Sequence, residues 1–394
     1  MLTEQKKILV VYDVAYPFVK GGGQKRLWEV STRLRKKGYE IDWICFKTWS
    51  GDEVLIKNGI KYIGLPGFKG LYNKNGKRRK LEPLEFIFQL FKSEINYKEY
   101  KIIWSGQWPF LHLLYWLFSS RVRLKNIVID WWEIWGTTWF KYSKFIGWAG
   151  YILENFLIKI YAKYSSIVVI SDRSKNLAIN LTFSSPNIDL IHNGISFEEN
   201  IPYIEKKYDF IYLGRLKEHK NVDILINSMA LVSASSNNPR YKLLIVGDGP
   251  EYENLLQQIN LLNLNDDVII MNDVDSDEEV NRLLKSSRIF INPSSKEGGG
   301  SIALFEAYSA GLPAIVFKCK DGIDPVLIKD DFTGKLVEKI DPYELAQSMI
   351  NILDNPKKIN KMSRNARTFV SNFDWSIISE NYGNLFDSLI HKNK

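Results

Sequence analysis

Residues 288–318 read RIFINPSSKEGGGSIALFEAYSAGLPAIVFK. The run RIFINPS is apolar, ends on a proline and a serine, and reads as a buried strand. KEGGG reads as a loop, SIALFEAYSA as a helix, SAGLP as a small-residue turn, and AIVF as a second strand. A strand, a helix and a strand in one short stretch make a βαβ unit, the building block of a parallel sheet.

The same alternation runs outward from this stretch. Ahead of it lie YDFIYLG (208–214), KLLIVGDG (242–249) and DVIIMN (267–272), each a strand followed by a helical segment. The first half repeats the pattern with KKILVVYDV, YEIDWICF, YKIIWSG (100–106), NIVIDWW (126–132) and SIVVIS (166–171). Between KKILVVYDV and YEIDWICF, LWEVSTRLRKKG is an amphipathic helix closed by Gly38. Short apolar strands joined by helices imply an α/β fold of two doubly wound parallel-sheet domains, and 394 residues suit two domains. The polar stretch 193–209 contains a proline and reads as the linker; DWSIISENYGNLFDSLI (374–390) reads as an amphipathic helix.

Charge and aromatic content are uneven. Residues 1–195 hold 30 Lys and Arg against 16 Asp and Glu, and the remainder holds 23 against 29. Eleven of the twelve tryptophans precede residue 150. A basic, Trp-rich half suits a phosphate-bearing partner or an anionic membrane surface, and equally an ordinary soluble surface. The exposed loop expected at KNGKRRK (74–80) adds to that charge. Two distant cysteines, Cys45 and Cys319, argue against a disulfide framework and suit a reducing cytosol. The start lacks the pattern of a signal peptide. The most apolar runs, 108–118 and 145–161, are short for a membrane span and read as buried or interfacial helices.

In open parallel sheets ligands gather at the carboxyl ends of strands. Gly21, Gly22 and Gly23 follow the first strand and open a helix, with Lys25 and Arg26 adding charge, as in an anion cradle. Gly214 ends a strand and is followed by Arg215 and, five residues on, Lys220; such a pair suits a diphosphate, or two solvated cations. Glu297 and Glu306 bracket the glycine loop, where carboxylates can accept paired hydrogen bonds from sugar diols; alternatively both serve the helix. Asp273 and Asp275 form a D-x-D pair, but its setting before NRLLK reads as a helix cap rather than a metal site.

Taken together these pieces resemble the family 4 glycosyltransferases, retaining enzymes of the GT-B fold. The carriers are GGGQKRLWEVSTRLRKKGYEI, HNGI (192–195), YLGRLKEHKNVDILI, LLIVGDGPE (243–251), the 291–317 signature and DDFTGKLVE (330–338), in the family's order. The resemblance spans nearly the whole chain and is weak between residues 50 and 160.

It implies two Rossmann-like domains facing a cleft. Residues 1–192 would form an acceptor-binding domain, 210–372 a donor-binding domain, and 373–394 a helix packing back on the first. It implies a nucleotide diphosphate sugar as donor, with no metal and no further cofactor. Arg215 and Lys220 would hold the diphosphate and Glu306 the ribose. Glu297, Gly298, Gly299, Gly300 and Ser301 would hold the sugar. Gly21, Gly22 and Gly214 would approach the donor, and Gln107, Trp108 and Trp132 the acceptor. The expected partners are a nucleotide sugar, a glycan or lipid-linked acceptor, and an anionic membrane at its cytosolic face, with no nucleic acid. Two departures stand out. Eight residues separate the two glutamates where the family usually has seven, and WSGQWPF lacks the family's frequent histidine after its strand. His112, in a helix-like apolar run, reads as structural, and His192 and His219 are weak catalytic candidates. A non-catalytic nucleotide-sugar-binding subunit and a sugar-nucleotide epimerase remain as alternatives.

Overall fold

The computed structural model describes residues 6–71, 79, 81–141, 144–182, 187–200, 202–235, 241–274 and 276–392. All of the KNGKRRK segment except Arg79 lies outside them, as does Asp275. The chain forms two compact units, Met1–His192 with Trp375–Lys394, and Asn193–Asp374.

In the first unit, β1 (Lys7–Val11), β2 (Glu40–Phe46), β3 (Val54–Lys57), β4 (Ile60–Leu65), β5 (Ile102–Gly106), β6 (Ile127–Trp131), β7 (Ser166–Val169) and β8 (Ile188–Leu190) form one sheet. Its order is β3-β4-β2-β1-β5-β6-β7-β8. All pairings are parallel except the β3–β4 hairpin. Asn58 and Gly59 turn that hairpin with φ of 54° and 74°, as a two-residue turn of the primed kind requires. The sequence reading assigns neither β3 nor β4.

Helices α1 (Gly22–Lys36), α2 (Glu82–Lys92), α3 (Leu111–Phe118), α4 (Lys144–Tyr164), α5 (Asp172–Thr182) and, from the chain's end, α12 (Trp375–Lys392) cover the sheet. The two-residue period of a strand splits its apolar residues between faces. Ile8, Val10 and Trp104 pack with α1 and α12, through Leu27, Leu34, Tyr382 and Phe386. Leu9, Val11 and Ile129 pack with α2, α3 and α4, through Phe86, Leu113 and Leu157.

Between the sheet, α1 and α12 lies a buried ionic network. The Arg26 guanidinium is fully buried. Its Nε donates to Asp130 Oδ2 at 3.1 Å, its Nη1 to the His192 carbonyl at 2.6 Å, and its Nη2 to the Ile191 carbonyl at 2.7 Å and the Tyr382 hydroxyl at 2.8 Å. Tyr382 donates to the Asp130 carboxylate at 2.7 Å, and the Trp104 and Trp132 indoles donate to it at 3.0 and 3.2 Å. Burial works against the Arg26 charge, but Tyr382 and Asp130 outweigh it and raise its pKa. The expectation that Arg26 adds charge to an anion cradle is therefore corrected: its head is directed into the core and is already matched.

In the second unit, β9 (Tyr208–Leu213), β10 (Leu243–Val246), β11 (Val268–Met271), β12 (Ser287–Asn292), β14 (Ala314–Phe317) and β16 (Gly334–Val337) form a parallel sheet of order β11-β10-β9-β12-β14-β16. A separate parallel pair joins β13 (Lys296–Gly299) to β15 (Asp321–Ile323). Helices α6 (Val222–Ser235), α7 (Tyr252–Leu261), α8 (Asp277–Lys285) and α9 (Ile302–Ser309) lie between the strands in sequence, and α10 (Pro342–Leu353) and α11 (Pro356–Val370) follow the last of them. The 193–209 stretch, read as a linker, is built into this unit. Ile195 is buried and bridges to Asp374, Lys206 Nζ donates to the Lys285 and Ser287 carbonyls, and Tyr208 opens β9. Ser276 caps α8 by accepting from Glu279 N at 3.0 Å. No helix among the described residues is long and apolar enough to cross a membrane.

Two predictions concern the stability of the first unit. Arg26→Leu leaves Asp130 charged in the core, and losing one partner of a buried pair costs about 3–5 kcal/mol. Urea unfolding followed by tryptophan fluorescence should show that loss, and an unchanged midpoint would remove the network from its central place. His112 is also buried, with Nε2 2.8 Å from Ser105 Oγ. Burial pushes its pKa down to about 3. The unfolded imidazole takes a proton near pH 6.5 and the native one does not, so stability falls as pH drops from about 6.5 towards 3. The slope contributed is up to about 1.4 kcal/mol per pH unit. His112→Gln should flatten the stability difference between pH 7 and pH 5; equal slopes in both proteins would contradict this.

Candidate functional site

The second unit assembles a site from the loops after β9, β10 and β12. The first two loops lie backbone against backbone. Gly214 N donates to the Val246 carbonyl at 3.0 Å and Leu216 N to the Asp248 carbonyl at 2.9 Å. A Cβ on Gly247 would lie 1.9 Å from the Gly214 oxygen, and one on Gly249 2.1 Å from the Leu216 oxygen. The glycines of LLIVGDGPE are therefore packing requirements, holding the Arg215 loop at a fixed height over the sheet. The Tyr212 hydroxyl beneath donates to the Arg215 carbonyl at 3.1 Å.

The loops after β9 and β12 are stitched together. The His219 carbonyl accepts from Ser295 N at 3.0 Å and from the Ser294 and Ser295 hydroxyls. Asn221, with φ of 51°, donates through its side chain to the Pro293 carbonyl at 2.8 Å. This brings Lys220 Nζ to 2.6 Å from Glu297 Oε1, and Asn292 Nδ2 donates to the same oxygen at 3.2 Å. Lys220 and Glu297 side chains are only 16% and 12% exposed, so the pair is ordered rather than a loose surface contact.

The surrounding charge is positive. Burial first, then Arg215, Lys220 and Lys296, push the Lys217 ammonium below its ordinary pKa. Burial, then Lys220, Lys217 and Lys296, push His219 down to about 4, so it is neutral at pH 7. Arg215 itself is exposed. Arg215, Lys217, Lys220 and Lys296 lie close enough to act on one another, and an anion with two or more charges would relieve that repulsion.

The KEGGG segment departs from its reading as a loop, because Lys296–Gly299 is strand β13. Lys296 pairs with Asp321 and Gly299 with Ile323, so three steps on β13 match two on β15. A bulge thus takes up one extra residue between Lys296 and Gly299, the interval that holds Glu297 and Gly298. Ser301, expected on the sugar, is the N-cap of α9; it is buried and accepts from Leu304 N at 3.3 Å. Glu306 lies one turn further on the half-buried face of α9, with Ile302, Ala303 and Ser309, while Leu304, Phe305, Ala307 and Tyr308 are buried.

The remaining expected residues lie in the first unit. Gly21 and Gly22 are exposed at the start of α1. A Cβ on Gly23 would lie 2.4 Å from the Trp132 ring, so Gly23 makes room for that indole. Gln107 is buried and not available to an acceptor. Its amide donates to the Glu133 carbonyl at 2.9 Å and accepts from Glu133 N at 3.1 Å. Trp108 packs edge-on to Phe110 and Trp135. The sequence reading missed Asn292, Lys217 and Lys296 as neighbours of the Lys220–Glu297 pair. Asn292 was the most legible of these, standing at a strand end before a proline.

Comparison with known proteins bears on this site. Residues 196–369 match the family model of glycosyl transferases group 1. A UDP-Gal:alpha-D-GlcNAc-diphosphoundecaprenol alpha-1,3-galactosyltransferase of Escherichia coli is 27% identical over 56% of this chain and 58% of its own length. The chain spans about three-fifths of the curated relatives it matches first. Among solved structures, sucrose-phosphate synthase from Thermosynechococcus elongatus superposes with a TM-score of 0.78 at 19% identity, covering 98% of this chain and 100% of that one. Anabaena HepE in complex with UDP and glucose gives 0.73 at 18% identity, covering 98% and 100%. The fold is that of the GT-B glycosyltransferases, and residues 196–369, which carry the Lys220–Glu297 pair, form a glycosyl transferases group 1 domain.

Proposed function

We propose that the chain is a retaining glycosyltransferase of the family 4 type. It moves a hexose from a nucleotide diphosphate donor to a glycan or lipid-linked acceptor at the cytosolic face of a membrane. The observation that carries this reading is the ordered Lys220–Glu297 pair inside a cluster of further cations, Arg215, Lys217 and Lys296. The E. coli relative, named for a diphosphoundecaprenol acceptor, supports a lipid-linked acceptor, and the UDP and glucose in Anabaena HepE support a uridine donor.

In the proposed reaction the bond between the anomeric carbon and the diphosphate oxygen breaks. The acceptor oxygen bonds to that carbon on the same face, and its proton passes to the departing phosphate. Negative charge grows on the diphosphate as the bond stretches. Arg215 and Lys220 meet that charge, with Lys217 beside them, and do so more strongly in the transition state than in the ground state. Glu297 accepts from sugar hydroxyls while Lys220 and Asn292 hold its other oxygen in place. Glu306 accepts from the ribose, and Gly298 to Gly300 let the sugar approach the backbone. The charge stabilisation comes from these groups, and the proposal includes no metal or further cofactor.

A panel of sugar nucleotides, UDP sugars first, tests the reading by donor hydrolysis and by transfer to membrane-extracted acceptor. Arg215→Ala should lower turnover by roughly 10²-fold or more with an unchanged melting temperature. Wild-type turnover in that variant would refute the assignment. Glu297→Gln keeps the shape of the site and should lower turnover while leaving UDP binding within about twofold, since its partner in the proposal is the sugar.

A further inference from the structure

We propose that the outward side of the α2–α3–α4 layer in the first unit docks on an anionic lipid surface. This rests on the membrane-facing part of the reading above and is independent of the donor chemistry. The three helices are neighbours. Phe91 of α2 meets Tyr115 of α3 with ring centroids 6.4 Å apart, and Tyr161 of α4 donates to the Leu113 carbonyl of α3 at 2.6 Å. Each turns one side to the sheet and leaves large apolar side chains on the other. On α2 these are Phe88 and Phe91, the latter 66% exposed. On α3, Phe118 is 83% exposed. On α4, Trp148, Ile152 and Phe156 recur every fourth residue, with Trp148 and Ile152 59% and 60% exposed. Single exposed apolar residues are normal, but a helical stripe repeated on adjacent helices is not.

Charge selects the occupant. The α4 stripe continues into Lys159 and Lys163, both exposed. Lys92 lies over the Phe88 ring, and Arg121 and Arg123 follow Phe118 on exposed positions. Acids are withdrawn from these helices. Glu154, the one acid of α4, is buried and accepts from Trp135 N, Gly136 N and the Trp139 indole. Glu82 of α2 is buried, and Glu85 is paired with Arg79. Helix α3 has no acid at all. Apolar and aromatic side chains among cations, with the acids of the three helices buried or paired and Glu94 just past α2 exposed, suit insertion at an anionic headgroup layer, where lysine and arginine meet phosphates while the rings sit below them.

Flotation of the full chain with phosphatidylcholine vesicles, with and without phosphatidylglycerol, tests this. The wild type should float with the phosphatidylglycerol vesicles at low salt and not with phosphatidylcholine alone. The triple variant Trp148→Ser, Ile152→Ser, Phe156→Ser should lose roughly tenfold in bound fraction. Lys159→Glu with Lys163→Glu, both on the surface, should abolish the preference for anionic vesicles. Wild type that stays at the bottom of the gradient, or variants that float as it does, would overturn the proposal. So would a concentration-dependent dimer by sedimentation that the triple variant abolishes, which would assign the stripe to a second copy of the chain. Donor hydrolysis measured without lipid reads the proposed reaction separately, so failure of one leaves the other standing.

Discussion

A fully buried arginine is the constraint around which the first unit is arranged. Taking a guanidinium out of water costs several kcal/mol unless its donors are matched. Arg26 meets this with a carboxylate, a phenol and two backbone carbonyls. Those partners come from three places in the chain: the end of β6, the stretch after β8, and, through Tyr382, the final helix. Asp130 is matched in turn by Arg26, Tyr382 and two indoles. No single member can be replaced without leaving another unmet in a medium of low dielectric. The network therefore fixes three things together: where α1 starts, and so where Gly21 and Gly22 lie; where Trp132 sits over Gly23; and where the chain stands at Ile191 and His192 before it enters the second unit.

The second unit is held by a different device. Its sheet interior is apolar and ordinary, and its precision comes from backbone contacts that only glycine permits. Gly247 and Gly249 press on Gly214 and Leu216. Serine hydroxyls and an asparagine in a left-handed conformation tie the next loop to the first. Backbone contacts of this kind are stiffer than side-chain packing, which matters where like charges are gathered. Lys217 and His219 both lose basicity through burial and neighbouring cations. Loops this crowded with positive charge would drift apart if hydrogen bonds did not hold them.

Much of this architecture was legible. Strands whose residues are buried on both faces, such as β1, β10 and β14, announce themselves as unbroken apolar runs. Lys220 and Glu297 are each singled out by the sequence, in different pairs, and nothing in it places the two 2.6 Å apart. What escaped the reading shares a physical character. Asn58–Gly59 is a strong hairpin signal, but β3 has mostly exposed side chains and lacks the apolar run that marks a strand. β13 is rich in glycine, so it carries no periodic signal and is defined by its pairing to β15. Arg26 was misread because burial of a charge depends on partners far away in sequence, Asp130 and Tyr382. Gln107 was misread for the same reason: its partner is the backbone of Glu133, and backbone leaves no trace in residue type.

The bulge in β13 bears on how the glutamate spacing should be understood. An added residue in a helix turns everything beyond it by about 100° and would carry Glu306 to another face. An added residue in a loop without pairing leaves both ends free to drift. In β13 the surplus lies between Lys296 and Gly299, both held by register to β15. Within that interval, Glu297 is pinned by Lys220 and Asn292; downstream, the Ser301 cap sets the first turn of α9. Glu297 thus lies within the bulged interval, held there by its side-chain partners, while Glu306 is set by the α9 cap beyond it. The extra residue alters the path of the strand beside the proposed sugar position and leaves the anchors of the two acids intact.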